Sequence, residues 1–253
     1  MKPRFLRFLP LASVLSFALP SVGMGANLYW SGSDSSWNVA GNWSTDPNSH
    51  VAAGAFPGAG DDVFFNVSSL TADQLILMNA NRSPNSMTFN SAGAISIQGG
   101  DGAARTMNVG AGGILINAGA GAVTLGSNTT GFGVAIRISE SQTWTNNSSN
   151  LFTHTNSIQS TATSGVQTLT IGGTGNTTLL GQVSNGSTGG TIGLTKTGSG
   201  TFSVANNNSY TGVTTLAGGI FQIRSLAVGG SSSSIGASSA ESANLVFDGG
   251  TFE

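Results

Sequence analysis

Short runs in which apolar residues alternate with polar ones recur along nearly the whole chain, and Gly, Asn and Ser clusters separate them. "SMTFNSAGAISIQGG" places Met87 and Phe89, then Ile95 and Ile97, on one side of an extended chain. "RTMNVGAGGILINAGAGAVTLGS" repeats the pattern at Met107 and Val109, Ile114 and Ile116, and Val123 and Leu125. Period two is the signature of a half-buried strand. No stretch after the first 26 residues sustains the 3.6-residue period of a helix. Each run is three to five residues long, and the series continues through "VAIRIS", "QTLTIGG", "GTFSVANN" and "GIFQIRS". The chain is all-β.

A two-sheet sandwich also uses short alternating strands. Here the turns are monotonous, and the pattern persists for about 170 residues without a closing boundary. Both features favour a right-handed single-stranded parallel β-helix (β-solenoid), in which each coil pairs with the next at about 4.8 Å. At about 20 residues per coil, on the order of ten coils are expected. Glycine supplies 38 of the 253 residues, and only 7% are charged. The regular supply of Val, Ile, Leu, Phe and Trp separates this composition from disorder.

Residues 1–26 read as a signal peptide. Lys2, Arg4 and Arg7 precede the apolar "FLPLASVLSFALPSV", and "MGA" ends at a small residue fit for cleavage near Ala26. Pro10 and Pro20 break the apolar run, which is too short to span a bilayer, so no mature transmembrane segment is expected. Removing the leader leaves Arg82, Arg105, Arg137, Lys196 and Arg224 against ten acidic residues, and the formal net charge moves from −2 to −5. No basic cluster exists for nucleic acid. The exported chain has no cysteine, so its stability has to come from ladders of hydrogen bonds and stacked side chains.

The segment "GLTKTGSGTFSVANNNSYTGVTTLAGGIFQI", about 193–223, resembles the autotransporter-associated β-strand repeat, also called the passenger-associated transport repeat. Gly193, Leu194, Lys196, Gly198, Gly200 and Thr201 match the first half of its pattern. Tyr210, Thr211, Gly212, Ala217 and Gly218 match the second. Phe202 and Phe221 stand where Leu is usual, and Ser209 where Thr is common. Residues 27–66 resemble the N-terminal module of proteins that carry these repeats, through Trp30, Trp37, Gly41, Asn42, Trp43, Pro57, Gly60, Asp61, Asp62 and Phe64. "SQTWTNNSSNLF" is similar to a segment found in the middle of such proteins.

The resemblance implies an exported solenoid with an N-terminal Trp-rich cap at 27–66 and a solenoid body at 67–253. It also implies surface display or secretion from a Gram-negative-type bacterium, with the export machinery as a partner. The final "LVFDGGTFE" falls inside what reads as another strand, which invites the reading of a fragment.

Candidate chemistry is sparse. Exposed Trp30, Trp37 and Trp43 would stack on sugar rings, whereas a cap over the open end of the solenoid would bury them; the neighbouring turn residues favour the cap. Adjacent Asp61 and Asp62 in an extended segment point to opposite faces, which suits neither a paired acid and base nor a Ca²⁺ site as well as a turn led by Asp61. "GGDGAART" (Gly99 to Thr106) is a lone copy of something like a calcium nonapeptide and reads as a turn. His50 and His154 lie far apart in polar loops and are expected at the surface.

No catalytic, cofactor-binding or metal-binding residue is assigned. The expected function is a non-enzymatic passenger or stalk for display or adhesion, with cell-surface or extracellular glycans as partners. The alternative is a glycan-binding or polysaccharide-degrading β-helix, although its charged residues are too scattered to build an obvious catalytic face.

Overall fold

The computed structural model describes residues 25–32 and 34–253. The leader reading covers residues 1–26, of which 1–24 lie outside the described residues. Among the described residues no helix is long and apolar enough to cross a membrane.

The chain winds through three sheets of ten, eight and four strands. One coil runs from Gly113–Ile116 on the first face to Val123–Leu125 on the second and Val134–Ile138 on the third. It then returns to the first face at Gln142–Asn146. Every pairing between strands is parallel except that of Trp43–Ser44 with Asn27–Trp30. Apart from that pair, a strand does not meet its sequence neighbour; it meets the strand one coil away. This is the parallel β-solenoid that the period-two runs imply.

The register explains why alternation is enough. On the first face Met87 pairs with Ile114, Ile114 with Trp144, Trp144 with Ile171, Ile171 with Lys196, and Lys196 with Leu216. On the second face Ile97, Leu125, His154, Leu179 and Val204 form a file. On the third face Met107, Ile136, Ile158 and Val183 do the same. All are buried. Each fully buried aliphatic side chain stabilises the fold by about 1.5–3 kcal/mol relative to its exposed state. A slip of one residue would turn a whole file outward.

The coil is longer than the expected ~20 residues. The step is 27 residues from Met87 to Ile114, 30 from Ile114 to Trp144 and 20 from Lys196 to Leu216. The extra length comes from the third face, where coils carry loops of differing size. Only four rungs pair there as strands, and isolated bridges such as Arg82 to Met107 serve elsewhere.

Trp30, Trp37 and Trp43 are fully buried; Trp30 and Trp43 lie at the start of the first sheet, and Trp37 follows Ser36, which bridges to Leu77 at the start of the second. Trp43 meets Trp30 and Trp37 edge-on at 5.2 and 4.9 Å, and its Nε1 donates to the Trp37 carbonyl at 2.9 Å. Below them Phe65 stacks on Phe89 at 4.8 Å. The solenoid thus begins under an aromatic cap, and these rings are not available to stack on a sugar.

Candidate functional site

The sequence-level candidates occupy separate places. Asp61 accepts the Gly58 and Ala26 amide protons, both at 2.8 Å, as a turn residue does. Asp62 accepts instead from Asn85 at 2.8 Å and Ser86 at 2.5 Å on the next rung. Asp101 takes a left-handed conformation (φ 51) and pairs with Arg105, so "GGDGAART" turns the chain into the strand Arg105–Val109. His50 is exposed and shares a 2.7 Å hydrogen bond with Ser31.

His154 corrects the surface expectation. It ends the strand Phe152–His154, faces inward between Leu125 and Leu179, and is completely buried. Its Nδ1 lies 3.2 Å from the Leu125 carbonyl, which can only accept, so Nδ1 carries the proton. Nε2 has no partner, and the edge of the Trp144 ring closes the site. Burial drives the pKa from 6.5 down to about 4, against the smaller opposing effect of backbone hydrogen bonds. The imidazole is therefore neutral at pH 7. It is far from His50, and no group of three or more His, Cys, Asp or Glu side chains among the described residues could hold a metal.

The polar residues that do converge lie at the corners between faces. In Thr191–Lys196, alternation sends Leu194 and Lys196 inward and Thr195 outward, so an ammonium enters the core. Lys196 is 2% exposed. Its Nζ donates to the carbonyls of Thr197 at 2.5 Å, Gly198 at 3.0 Å and Gly218 at 3.4 Å. Two of these belong to its own corner, and the third to the corner one coil later. Desolvation lowers its pKa.

Two glycines make room for this arrangement. Gly198 sits at φ 68, where a Cβ would come within 2.3 Å of the Gly173 carbonyl oxygen. Gly219 sits at φ 64, where a Cβ would come within 2.8 Å of Nζ. The Lys and Gly positions of "GLTKTGSG…AGG" are thus one corner seen from two coils.

Similar connectors recur. Asn146 donates to the Asn176 carbonyl one coil on at 2.7 Å and accepts the Ser148 amide proton at 3.0 Å. Asn208 accepts from the Val183 amide at 2.8 Å and donates to the Ser234 carbonyl at 2.9 Å. Buried Tyr210 shares a 2.7 Å bond with Thr214, and burial raises its pKa. Asn146 and Asn208 had no signal of their own in the sequence. Their partners on the neighbouring coil lie some 25–30 residues away.

A family profile described as the passenger-associated-transport-repeat matches residues 194–223. This stretch contains the Lys196 corner, Asn208 and Tyr210. The molecule is thus a β-solenoid that carries a passenger transport repeat. The Adhesin BmaC autotransporter of Brucella suis biovar 1 (strain 1330) is 44% identical over 80 residues. That alignment covers 32% of this chain and 2% of the adhesin, so the chain corresponds to a small part of its relative. No solved structure matches.

Proposed function

We propose that this protein is an exported, non-enzymatic passenger solenoid that projects from the bacterial surface and serves adhesion. The observation that carries the reading is the coincidence of the transport-repeat match with the Lys196 corner, within a fold of stacked parallel rungs. Likeness to an autotransporter adhesin supports the same reading. A rod of this kind acts by geometry. Its core is filled by inward files from three faces, and its outward side chains, mostly Thr, Ser and Asn, form the contact surface.

Among the described residues, charged groups do not gather as a lyase or hydrolase requires. Asp61 and Asp62 are committed to separate turn and rung contacts, and Asp101 to Arg105. Protease treatment of intact producing cells tests display: the protein should be digested while a periplasmic marker survives. Comparing attachment of producing and deletion cells to extracellular matrix tests adhesion. Protection from protease, or equal attachment, would remove the proposal. Unsaturated uronates released from acidic polysaccharide would replace it with a lyase.

A further inference from the structure

The first face carries a regular array of outward hydroxyls that the fold does not use. Thr143 pairs with Thr170, Thr170 with Thr195, and Thr195 with Thr215, which gives four threonines in one file. Beside it runs a second file in which Ser141 accepts the Thr168 amide proton at 3.0 Å and Thr168 pairs with Gly193. The files lie about 6.6 Å apart, two strand residues, and successive members about 4.8 Å apart. Gly193, lacking a side chain, lowers the floor between Thr168 and Val213.

Depressions of about 400 and 570 Å³ lie along these files and share Thr168. Together they form one axial trough. From Thr143 to Thr215 it covers three rung steps, about 14 Å.

The corner groups Lys196, Asn146 and Asn208 are satisfied by backbone carbonyls and amide protons. The Thr143, Thr170, Thr195 and Thr215 hydroxyls make no hydrogen bond to the described residues. Threonine is stiff at χ1, so the array is pre-organised and little entropy is lost when a ligand meets it. No charged side chain lines either depression, which disfavours acidic polymers and nucleic acid. The strands beneath are interior to the sheet with their ladders complete, so a peptide cannot add there as a further strand. What fits is a neutral, extended, polyhydroxylated chain whose repeat is comparable with one rung.

We propose that this trough binds a neutral polysaccharide laid along the solenoid axis, with the threonine file donating to and accepting from successive sugar residues. The proposal rests on the adhesion reading and names its ligand.

Affinity gel electrophoresis of the full chain tests it, with hydroxyethylcellulose, xylan, galactomannan or dextran in the gel and alginate as the acidic comparison. At least one neutral polymer should retard the protein, and alginate should not. Thr170→Val with Thr195→Val removes two hydroxyls but keeps β-branched shape, and should weaken binding at least roughly tenfold. Thr143→Val with Thr215→Val should act likewise and serves if the first pair fails to fold by circular dichroism. Thr124→Val with Thr153→Val, on the second face, should bind as the parent does. Absence of retardation by all four neutral polymers, retardation by alginate alone, or unaltered binding of a folded trough variant overturns the proposal. Those results leave protease-sensitive display and cell attachment standing, so the two readings fail separately.

Discussion

His154 replaces an aliphatic residue in a file that otherwise reads Ile97, Leu125, Leu179 and Val204, and this sets how the molecule answers acid. The side chains around it carry no charge: Leu125 and Leu179 lie above and below, and Trp144 lies edge-on. Its folded pKa of about 4 lies below the unfolded 6.5, so between these values the unfolded chain binds a proton that the folded one refuses. The stability associated with the neutral ring is complete above pH 6.5 and declines as pH falls toward 4, by roughly 3 kcal/mol in all. Urea unfolding at pH 7.5 and pH 4.5 should show this loss, and His154→Leu should flatten the difference. Equal pH dependence in parent and variant would contradict the assignment. The inward position was legible in principle, since "FTH" aligns with "VTL" at 123–125 and "TTL" at 177–179. Polar neighbours on both sides obscured it. Lys196 was legible as a motif residue but not as a buried one, because a lysine is rarely buried without a partner and one of its partners lies 22 residues later.

At the level of the corner, shape and charge depend on each other. Gly198→Ala would force a left-handed backbone on alanine and drive its Cβ against the Gly173 carbonyl oxygen, 2.3 Å away. The expected loss is at least about 2 kcal/mol, from conformational strain together with displacement of one Lys196 acceptor. A lowered urea midpoint at unchanged slope would show it; a change within 0.5 kcal/mol, the range typical of surface substitutions, would mean that the corner adapts. Most strands at this scale were legible, because alternation sorts inward from outward locally; Gln74–Met78, Phe152–His154 and Ile158–Ser160 were not read. Coil length was not. The third face varies from paired strand to isolated bridge, and loops of unequal length between Ser-, Asn- and Gly-rich turns carry no period. The trough on the first face was equally hidden, since four threonines spaced 20–27 residues apart become neighbours only through the register.

Across the whole molecule, rungs touch only their nearest neighbours, so stability is distributed along the axis like a one-dimensional chain of units. The start is closed by three buried tryptophans, whereas Phe247, at 58% exposure, leaves the last described strands of the first and second faces more open. Native-state hydrogen exchange should therefore rank amides in Thr191–Lys196 as more protected than those in Leu245–Phe247. Trp43→Ala should lower the protection of Asp62–Phe65 before that of Thr191–Lys196. A uniform loss throughout would mean that the molecule opens as one cooperative block. The connectors at the corners give this arrangement a mechanical character. Because Asn146 and Lys196 each grip a carbonyl one winding further on, tension applied at the ends has to release those grips in order. Pulling on the ends of single molecules should therefore give a series of force peaks, one winding at a time, and a single rupture would contradict this.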